Sequence, residues 1–222
     1  MYIKIIILIL LIAFIGFLLY SLYLEAFENN IQKYYFVHIP KNGGTSIKDI
    51  FKNNNLNIEY IGHNYPKINN NEIVILRDPI DRFISAFYYG KQNYTNHCKQ
   101  FKNPNELIES AIDKSSGKYK YADFLFKNSE THTINGKKTQ HWTYTPQIKW
   151  FNNPKFVLRF THLEEDFNKC LKDIGYKNTI SIPKKNKSTH RDTYLSDKSI
   201  TFLKNYYKKD FELLETKPFT YG

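Results

Sequence analysis

A short basic loop with two adjacent glycines is the first stretch of this sequence that indicates chemistry. It consists of Lys41, Asn42, Gly43 and Gly44, and a helix-like pattern begins at Thr45. Adjacent glycines let backbone N–H groups turn toward one point, because no Cβ atom obstructs them. The first turn of a helix adds N–H donors and a positive dipole end, and the lysine adds a full positive charge. Such a loop is typical of a site that holds a phosphate or a sulfate group.

Arg77 and Ser85 are a second pair of candidate anion ligands. Asp78 and Pro79 are typical of an N-cap and a first helical residue, so Arg77 is predicted at the C-terminal end of the preceding strand. A guanidinium binds a phosphate through two parallel N–H groups, and a hydroxyl adds a third donor. Ligands of open α/β sheets lie at the carboxyl ends of the strands. Arg77 and the loop at Lys41 are therefore predicted to face one crevice.

Alternating strand-like and helix-like segments must position these groups. Short apolar runs predict strands at 34–39, 58–61, 72–76 and 155–160. Amphipathic patterns and capping residues predict helices at 45–53, 79–90, 105–113, 161–173 and 194–214, with Gly90 as the stop of the second. The polar stretch 128–139 is predicted as a loop. This order is typical of an α/β fold in which a mostly parallel, P-loop-like sheet is flanked by helices.

The glycine loop differs in spacing from the P-loop of nucleoside triphosphatases. That loop has the form G-x-x-x-x-G-K-[ST], in which the lysine follows the last glycine. Here Lys41 precedes Gly43 and Gly44. The spacing therefore disfavours a Walker-type ATPase while the ligand chemistry, an anion held by amides and a lysine, stays the same.

Two motifs of this sequence resemble those of the membrane-bound carbohydrate sulfotransferases, a group that includes the heparan sulfate 2-O-sulfotransferases. HIPKNGGTSI at 38–47 resembles their 5′-phosphosulfate loop, whose usual form is HIPKTGGTS, and Asn42 stands where threonine is common. RDPIDRFISAFYY at 77–89 resembles their 3′-phosphate motif. The resemblance extends over residues 35–215 and is thin between the two motifs.

The resemblance implies an enzyme that moves a sulfuryl group from 3′-phosphoadenosine 5′-phosphosulfate (PAPS) to an acceptor hydroxyl, without a metal. It favours a glycan as the acceptor, and a tyrosine or lipid hydroxyl stays open. It implies that Lys41 is catalytic, stabilising charge on the bridging oxygen. The donor-binding residues that it implies are Lys41, Asn42, Gly43, Gly44, Thr45, Ser46, Arg77 and Ser85. Two other functions stay open, a P-loop-type nucleotide-dependent kinase and a non-catalytic, membrane-anchored binder of anionic glycans.

His63 is the candidate general base. An acceptor hydroxyl is a poor nucleophile until its proton is leaving, and histidine, with an ordinary pKa of about 6.5, can accept that proton at neutral pH. His63 follows Gly62 after the second predicted strand, near the crevice, and heparan sulfate 2-O-sulfotransferases carry a similar Gly-His whose histidine is the base. His141 is the main rival. His38, which precedes the loop, is expected to pack or to orient other groups.

Three further segments have two interpretations each. Asp78 and Arg82, four residues apart, are predicted to pair on their helix rather than to bind ligand. The Pro-Gln pair at 146–147, flanked by aromatics, resembles an acceptor-site segment of similar sulfotransferases, but the aromatics could equally fill the edge of a core. Lys187 and Ser188 lie in a basic loop that approaches the nucleotide in similar proteins, or they are merely solvated.

The N-terminal segment is predicted to anchor the chain in a membrane. A cleavable signal peptide is the rival interpretation, disfavoured because the apolar run is long and no clear small-x-small site follows it before Glu25. Residues 5–24 carry no charge, and a helix of that length spans roughly 30 Å, the thickness of a bilayer's apolar core. Lys4 precedes the segment, and Glu25 and Glu28 follow it, which favours a cytosolic N-terminus. The predicted order is a cytosolic end at 1–4, a transmembrane helix at 5–24, a stem at 25–33 and a sulfotransferase-like domain at 34–222, in a Golgi-like lumen or outside the cell.

A net charge of +11 over 222 residues indicates an anionic partner. Nucleic acid is disfavoured, because no helix-turn-helix, zinc-finger or RNP-like pattern is visible. No zinc-ligand spacing is present either. The two cysteines, Cys98 and Cys170, could form a disulfide in an oxidising lumen or could be two buried thiols.

Overall fold

The computed structural model describes residues 5, 10–21, 32–63, 71–93, 96–127, 131–134, 137–140, 142–183 and 193–216. The chain divides into two compact units, Met1–Lys33 and Tyr34–Gly222. In the first unit, residues 10–21 form helix α1. Among the residues that the structure describes, no helix is both long and apolar enough to cross a membrane. Residues 6–9 and 22–24 of the span predicted at 5–24 lie outside the described part of the chain, and the described helix alone does not support the transmembrane prediction.

The second unit alternates strands and helices. Its strands are β1 (Tyr34–Val37), β2 (Ile58–Ile61), β3 (Glu72–Leu76), β4 (Thr131–Ile134), β5 (Lys137–Gln140) and β6 (Phe156–Arg159). Its α-helices are α2 (Gly44–Asn53), α3 (Pro79–Asn93), α4 (Asn96–Lys99), α5 (Pro104–Ile112), α6 (Tyr119–Lys127), α7 (Leu163–Asp173), α8 (Asp197–Tyr206) and α9 (Lys208–Thr216). Short 3₁₀ helices cover Trp142–Tyr144, Gln147–Trp150 and Phe160–His162.

Four parallel strands form the central sheet, in the order β2-β1-β3-β6. All three ladders between neighbouring strands are parallel, with Val37 beside Ile61 and Val74, and Leu76 beside Arg159. Every residue of β3 is buried, because both faces of the sheet are covered by helices and loops. The predicted strands at 58–61 and 72–76 are confirmed at both ends, and the α/β prediction of a parallel sheet flanked by helices is confirmed with them.

The predicted end of the α3 helix at Gly90 is wrong. The helix continues to Asn93, and Gly90 lies inside it. A Cβ atom at Gly90 would lie 2.6 Å from Sγ of Cys98, so the glycine allows the start of α4 to pack closely against α3. Cys98 and Cys170 are both buried free thiols, which decides the question left open by the sequence.

Two more predictions change in the C-terminal half. The stretch 128–139, predicted as a loop, contains the antiparallel pair β4–β5, in which Thr131 is opposite Gln140. The Asn135-Gly136 pair in the sequence is a typical two-residue hairpin signal. The single helix predicted at 194–214 is two helices, α8 and α9, which are separated at Tyr207. The buried hydroxyl of Tyr207 donates to the carbonyl of Tyr144 at 2.8 Å.

Candidate active site

The glycine loop connects the end of β1 to the start of α2. Lys41 and Gly43 both have left-handed backbone conformations, with φ of 68° and 83°. No described side chain caps the N-terminus of α2, and its first turn contains no acidic residue. The first-turn amides and the positive end of the helix dipole are thus not neutralised by protein groups. This arrangement favours a bound anion at the loop.

Gly44 is required by the close approach of His38. A Cβ atom at Gly44 would lie 2.1 Å from Cδ2 of the His38 ring, well inside van der Waals contact. The imidazole therefore lies directly against the start of α2. Only a residue without a side chain fits between the ring and the loop.

We expect Gly44→Ala to lower the free energy of unfolding by about 1–3 kcal/mol, because the ring of His38 must shift to admit the new methyl group. Gly117→Ala is a suitable control, since a Cβ there meets nothing within 4 Å. Urea denaturation of both variants measures the difference. Equal stability of the two variants would mean that the ring moves aside without cost.

Lys41 lies in a partly desolvated, electropositive position. Its Nζ is 3.6 Å from the centroid of the Tyr89 ring. Burial, and then the nearby Arg77 guanidinium, lower the pKa of Lys41 to about 8. A bound anion would offset the effects of burial and of Arg77 on the ammonium group, so Lys41 is placed where an anion stabilises its charged form.

Arg77 brings the second motif into contact with the loop. It follows β3, and its Nη1 donates to the carbonyl of Lys41 at 3.0 Å. The guanidinium carbon lies 4.3 Å from the centroid of the Phe160 ring, which supports it on one face. The two motifs that are 36 residues apart in sequence therefore meet at the carboxyl edge of the sheet.

Ser85 and Arg82 lie on α3, and Asp78 directly precedes that helix. Ser85 is half-buried, and Asp78 caps the helix by accepting from the backbone N of Asp81 at 2.8 Å. The predicted pairing of Asp78 with Arg82 is wrong. Arg82 is fully buried and its guanidinium donates to the carbonyls of Pro40, Thr143 and Thr145. A buried guanidinium needs several acceptors, and the exposed Asp78 cannot supply them.

His63 is held in one tautomer by the backbone. Its Nδ1 lies 3.0 Å from the carbonyl oxygen of His38, and because a carbonyl only accepts, Nδ1 carries the hydrogen. Nε2 of the neutral ring is then left as a proton acceptor. Burial lowers the pKa of His63, although the bond to His38 opposes this in part. The indole of Trp150 donates to the His63 carbonyl at 3.1 Å and fixes the residue.

His38 lies between the loop and His63. The centroids of the two imidazole rings are 4.5 Å apart, and Nδ1 of His38 is hydrogen-bonded to the hydroxyl of Tyr60. Burial, followed by the charges of His63, Lys48 and Lys41, lowers the pKa of His38 to about 3. Burial also raises the pKa of Tyr60 to about 12. His38 is therefore neutral at physiological pH and serves to position its neighbours.

Asn42 and Gln147 form a buried bridge that the sequence did not predict. The side-chain amide of Asn42 donates to the carbonyl of Ile75 at 2.5 Å and to Oε1 of Gln147 at 2.6 Å. Gln147 is fully buried, so this residue of the Pro-Gln pair lies beneath the crevice. No periodicity or spacing could have signalled a hydrogen bond between residues 105 positions apart.

Some candidate residues are only partly located. Thr45 is exposed and Ser46 half-buried in the first turn of α2. His141, Lys187 and Ser188 lie outside the described residues. In the described part of the chain, no group of three or more His, Cys, Asp or Glu residues could hold a metal ion.

Comparison with known proteins agrees with the two motifs. A family model described as the Sulfotransferase family matches residues 27–217, which is most of the chain. No curated protein matches the chain, and no solved structure does.

Proposed function

Because the chain belongs to the sulfotransferase family, we propose that it transfers a sulfuryl group from PAPS to a hydroxyl group of a glycan. The observation that carries this proposal is the contact between Arg77 and the Lys41 loop at the carboxyl edge of the sheet. PAPS has an anionic group at each end of its ribose, the 5′-phosphosulfate and the 3′-phosphate. A donor of that kind needs two adjacent cationic sites, and Lys41 and Arg77 supply them.

The donor set of the site suits phosphate and sulfate oxygens. On the 5′ side, the uncapped start of α2 offers amides and Lys41 offers an ammonium group. On the 3′ side, Arg77 offers guanidinium N–H groups and Ser85 a hydroxyl. The left-handed Gly43 and the close-packed Gly44 leave the loop free of side chains that would fill the anion's place. These groups bind oxyanions directly.

The mechanism follows from the protonation states of His63 and Lys41. PAPS supplies a sulfuryl group on a phosphate leaving group. Nε2 of His63 takes the proton of the glycan hydroxyl while the hydroxyl oxygen forms a bond to sulfur. As the bond between sulfur and the bridging oxygen breaks, Lys41 stabilises the negative charge that remains on the phosphate of 3′,5′-ADP. The proton ends on His63 and the electron pair of the broken bond on the leaving oxygen.

The acceptor and the location of the domain are also part of the proposal. A net charge of +11 attracts acidic polysaccharides, which supports a glycan acceptor. The uncharged sequence at 5–24 supports attachment to a membrane, with the domain in a lumen or outside the cell. Protease protection of the 34–222 domain in sealed microsomes tests that orientation.

Transfer of radiolabelled sulfate from PAPS to a panel of glycans tests the proposed function. We expect one class of glycan to be labelled, and 3′,5′-ADP but not ATP to stabilise the protein in a thermal shift measurement. Stabilisation by ATP alone would favour a kinase. Binding of 3′,5′-ADP without turnover on any acceptor would favour a non-catalytic binder.

Arg77→Ala is expected to weaken 3′,5′-ADP binding by about 1.5–3 kcal/mol, the usual contribution of a charge-assisted hydrogen bond. Ser85→Ala should have a smaller effect, because its hydroxyl is uncharged. Lys127→Ala is the matched control, since it removes one positive charge from an exposed residue of α6. Titration calorimetry measures all three. Unchanged affinity in Arg77→Ala would remove this arginine from the binding site.

A further inference from the structure

We propose that Gln147 is a positioning residue that keeps the Lys41 loop and Arg77 at the separation needed to bind both ends of one nucleotide. This inference rests on the proposed use of PAPS. The inference extends the proposed function to a residue that does not line the crevice, because Gln147 is fully buried and contacts the two motifs from inside the protein.

Three hydrogen bonds join the Gln147 side chain to the two motifs. Its Oε1 accepts from Nδ2 of Asn42 at 2.6 Å and from the backbone N of Arg77 at 3.1 Å. Its Nε2 donates to the backbone O of Arg77 at 2.8 Å. One amide group therefore binds the middle of the loop and both backbone groups of the arginine.

The direction of each of these bonds is fixed by chemistry. The backbone N–H of Arg77 can only donate and its carbonyl can only accept, so they determine which end of the Gln147 amide is oxygen. That oxygen also faces Asn42, which must then present its NH₂ group. The same NH₂ group donates to the carbonyl of Ile75 at 2.5 Å, so the loop is tied to β3 as well.

Gln147 is itself held from the opposite side. The backbone N of Gln147 donates to Oδ2 of Asp210 at 2.8 Å, and that of Ile148 donates to Oδ1 at 2.9 Å. Asp210 is buried on α9. Because α9 fixes the start of the 3₁₀ helix at Gln147–Trp150, the Gln147 side chain has a rigid base from which to hold the motifs.

A fixed separation matters most for a ligand with two anchoring groups. When one phosphate is bound, the second binds as an intramolecular event whose effective concentration depends on the distance between the two sites. A change in that distance weakens the binding of 3′,5′-ADP. It has little effect on a ligand that uses only one of the two sites.

The test compares one bisphosphate with two monophosphates. We expect Gln147→Met and Asn42→Ala each to reduce the affinity for 3′,5′-ADP by about 10- to 100-fold, as measured by calorimetry, since most of the gain from two-point binding is lost. The affinities for adenosine 5′-phosphate and adenosine 3′-phosphate should change little. Ile108→Val, which shortens a buried side chain of α5, is the control for general destabilisation.

The outcomes separate this inference from the proposed function. Equal losses for all three nucleotides, or no loss for 3′,5′-ADP, would overturn the role of Gln147. If Gln147→Met does not fold, Asn42→Ala decides. The Asn42 side chain is buried and bonded to Gln147 and Ile75 rather than exposed in the crevice, so its removal breaks the same bridge from the other end. A wild-type protein that binds 3′,5′-ADP no more tightly than the monophosphates would instead overturn the proposed function.

Discussion

Replacing Lys41 with alanine is expected to reduce turnover by about 10²- to 10³-fold, the usual effect of removing one group that stabilises developing charge. The ammonium group is worth most when the leaving oxygen becomes negative, so the loss should appear in kcat. Affinity for 3′,5′-ADP should fall much less. Initial rates with labelled PAPS and a working acceptor, together with calorimetry, measure both quantities. Losses of equal size in turnover and in binding would count against a role in the transition state.

The pH dependence gives an independent test of Lys41. Its charged form is the active one, and its pKa is lowered to about 8 by burial and by Arg77. As pH rises through that value, the free enzyme loses the charge, so kcat/KM should fall on the alkaline side. Lys41→Arg keeps the charge at all accessible pH values and should remove this alkaline fall. Persistence of the fall in Lys41→Arg would assign it to another group.

His63→Ala is expected to lower turnover by about 10²- to 10⁴-fold, the usual contribution of a general base. The structure leaves Nε2 of His63 unprotonated because Nδ1 donates to the His38 carbonyl. His162, an exposed histidine, provides the control variant His162→Ala. If His63→Ala keeps near-normal turnover while His141→Ala abolishes it, the base is His141.

The acid side of the pH profile tests the same assignment. His63 must be neutral to accept a proton, and burial lowers its pKa from the ordinary value of about 6.5. Activity should therefore persist at pH values where an ordinary histidine is already charged, and fall only as pH drops through the lowered pKa. An acid limb centred at or above the ordinary value would exclude His63 in this environment.

The features that could be predicted from the sequence are those that depend on local residue patterns, namely the strands and their order along the chain. The segments at 58–61 and 72–76 gave strands with the correct ends. In β3, which is buried at every residue, the run from Ile73 to Leu76 is the continuous apolar segment expected of a parallel strand covered on both faces. The strand–helix order also predicted that Arg77 and the glycine loop share one edge of the sheet. Contacts between side chains distant in sequence had no such signal. Arg82 matched a helical ion pair, but burial gave it three carbonyl partners instead.

The tautomer of His63 likewise could not be predicted from the sequence, because it depends on a contact with a residue distant in the chain. The Gly-His dipeptide suggested a base, but the atom that accepts the proton depends on the position of the His38 carbonyl. Likewise, Asn42 looked like one more loop residue with a possible ligand role. Its partner Gln147 is visible only once the fold brings them together.

The ties that hold the loop also determine when the site can form during synthesis. Asn42 and Gln147 are 105 residues apart, and Gln147 and Asp210 are a further 63 apart. Contacts between such distant positions form late, because the entropy of closing the intervening chain must be overcome first. A nascent chain on the ribosome therefore contains β1 and the glycine loop long before it contains the carboxylate that fixes the turn at 147–148. Nucleotide affinity should consequently be among the last properties the domain acquires, after the helix at Lys208–Thr216 has emerged.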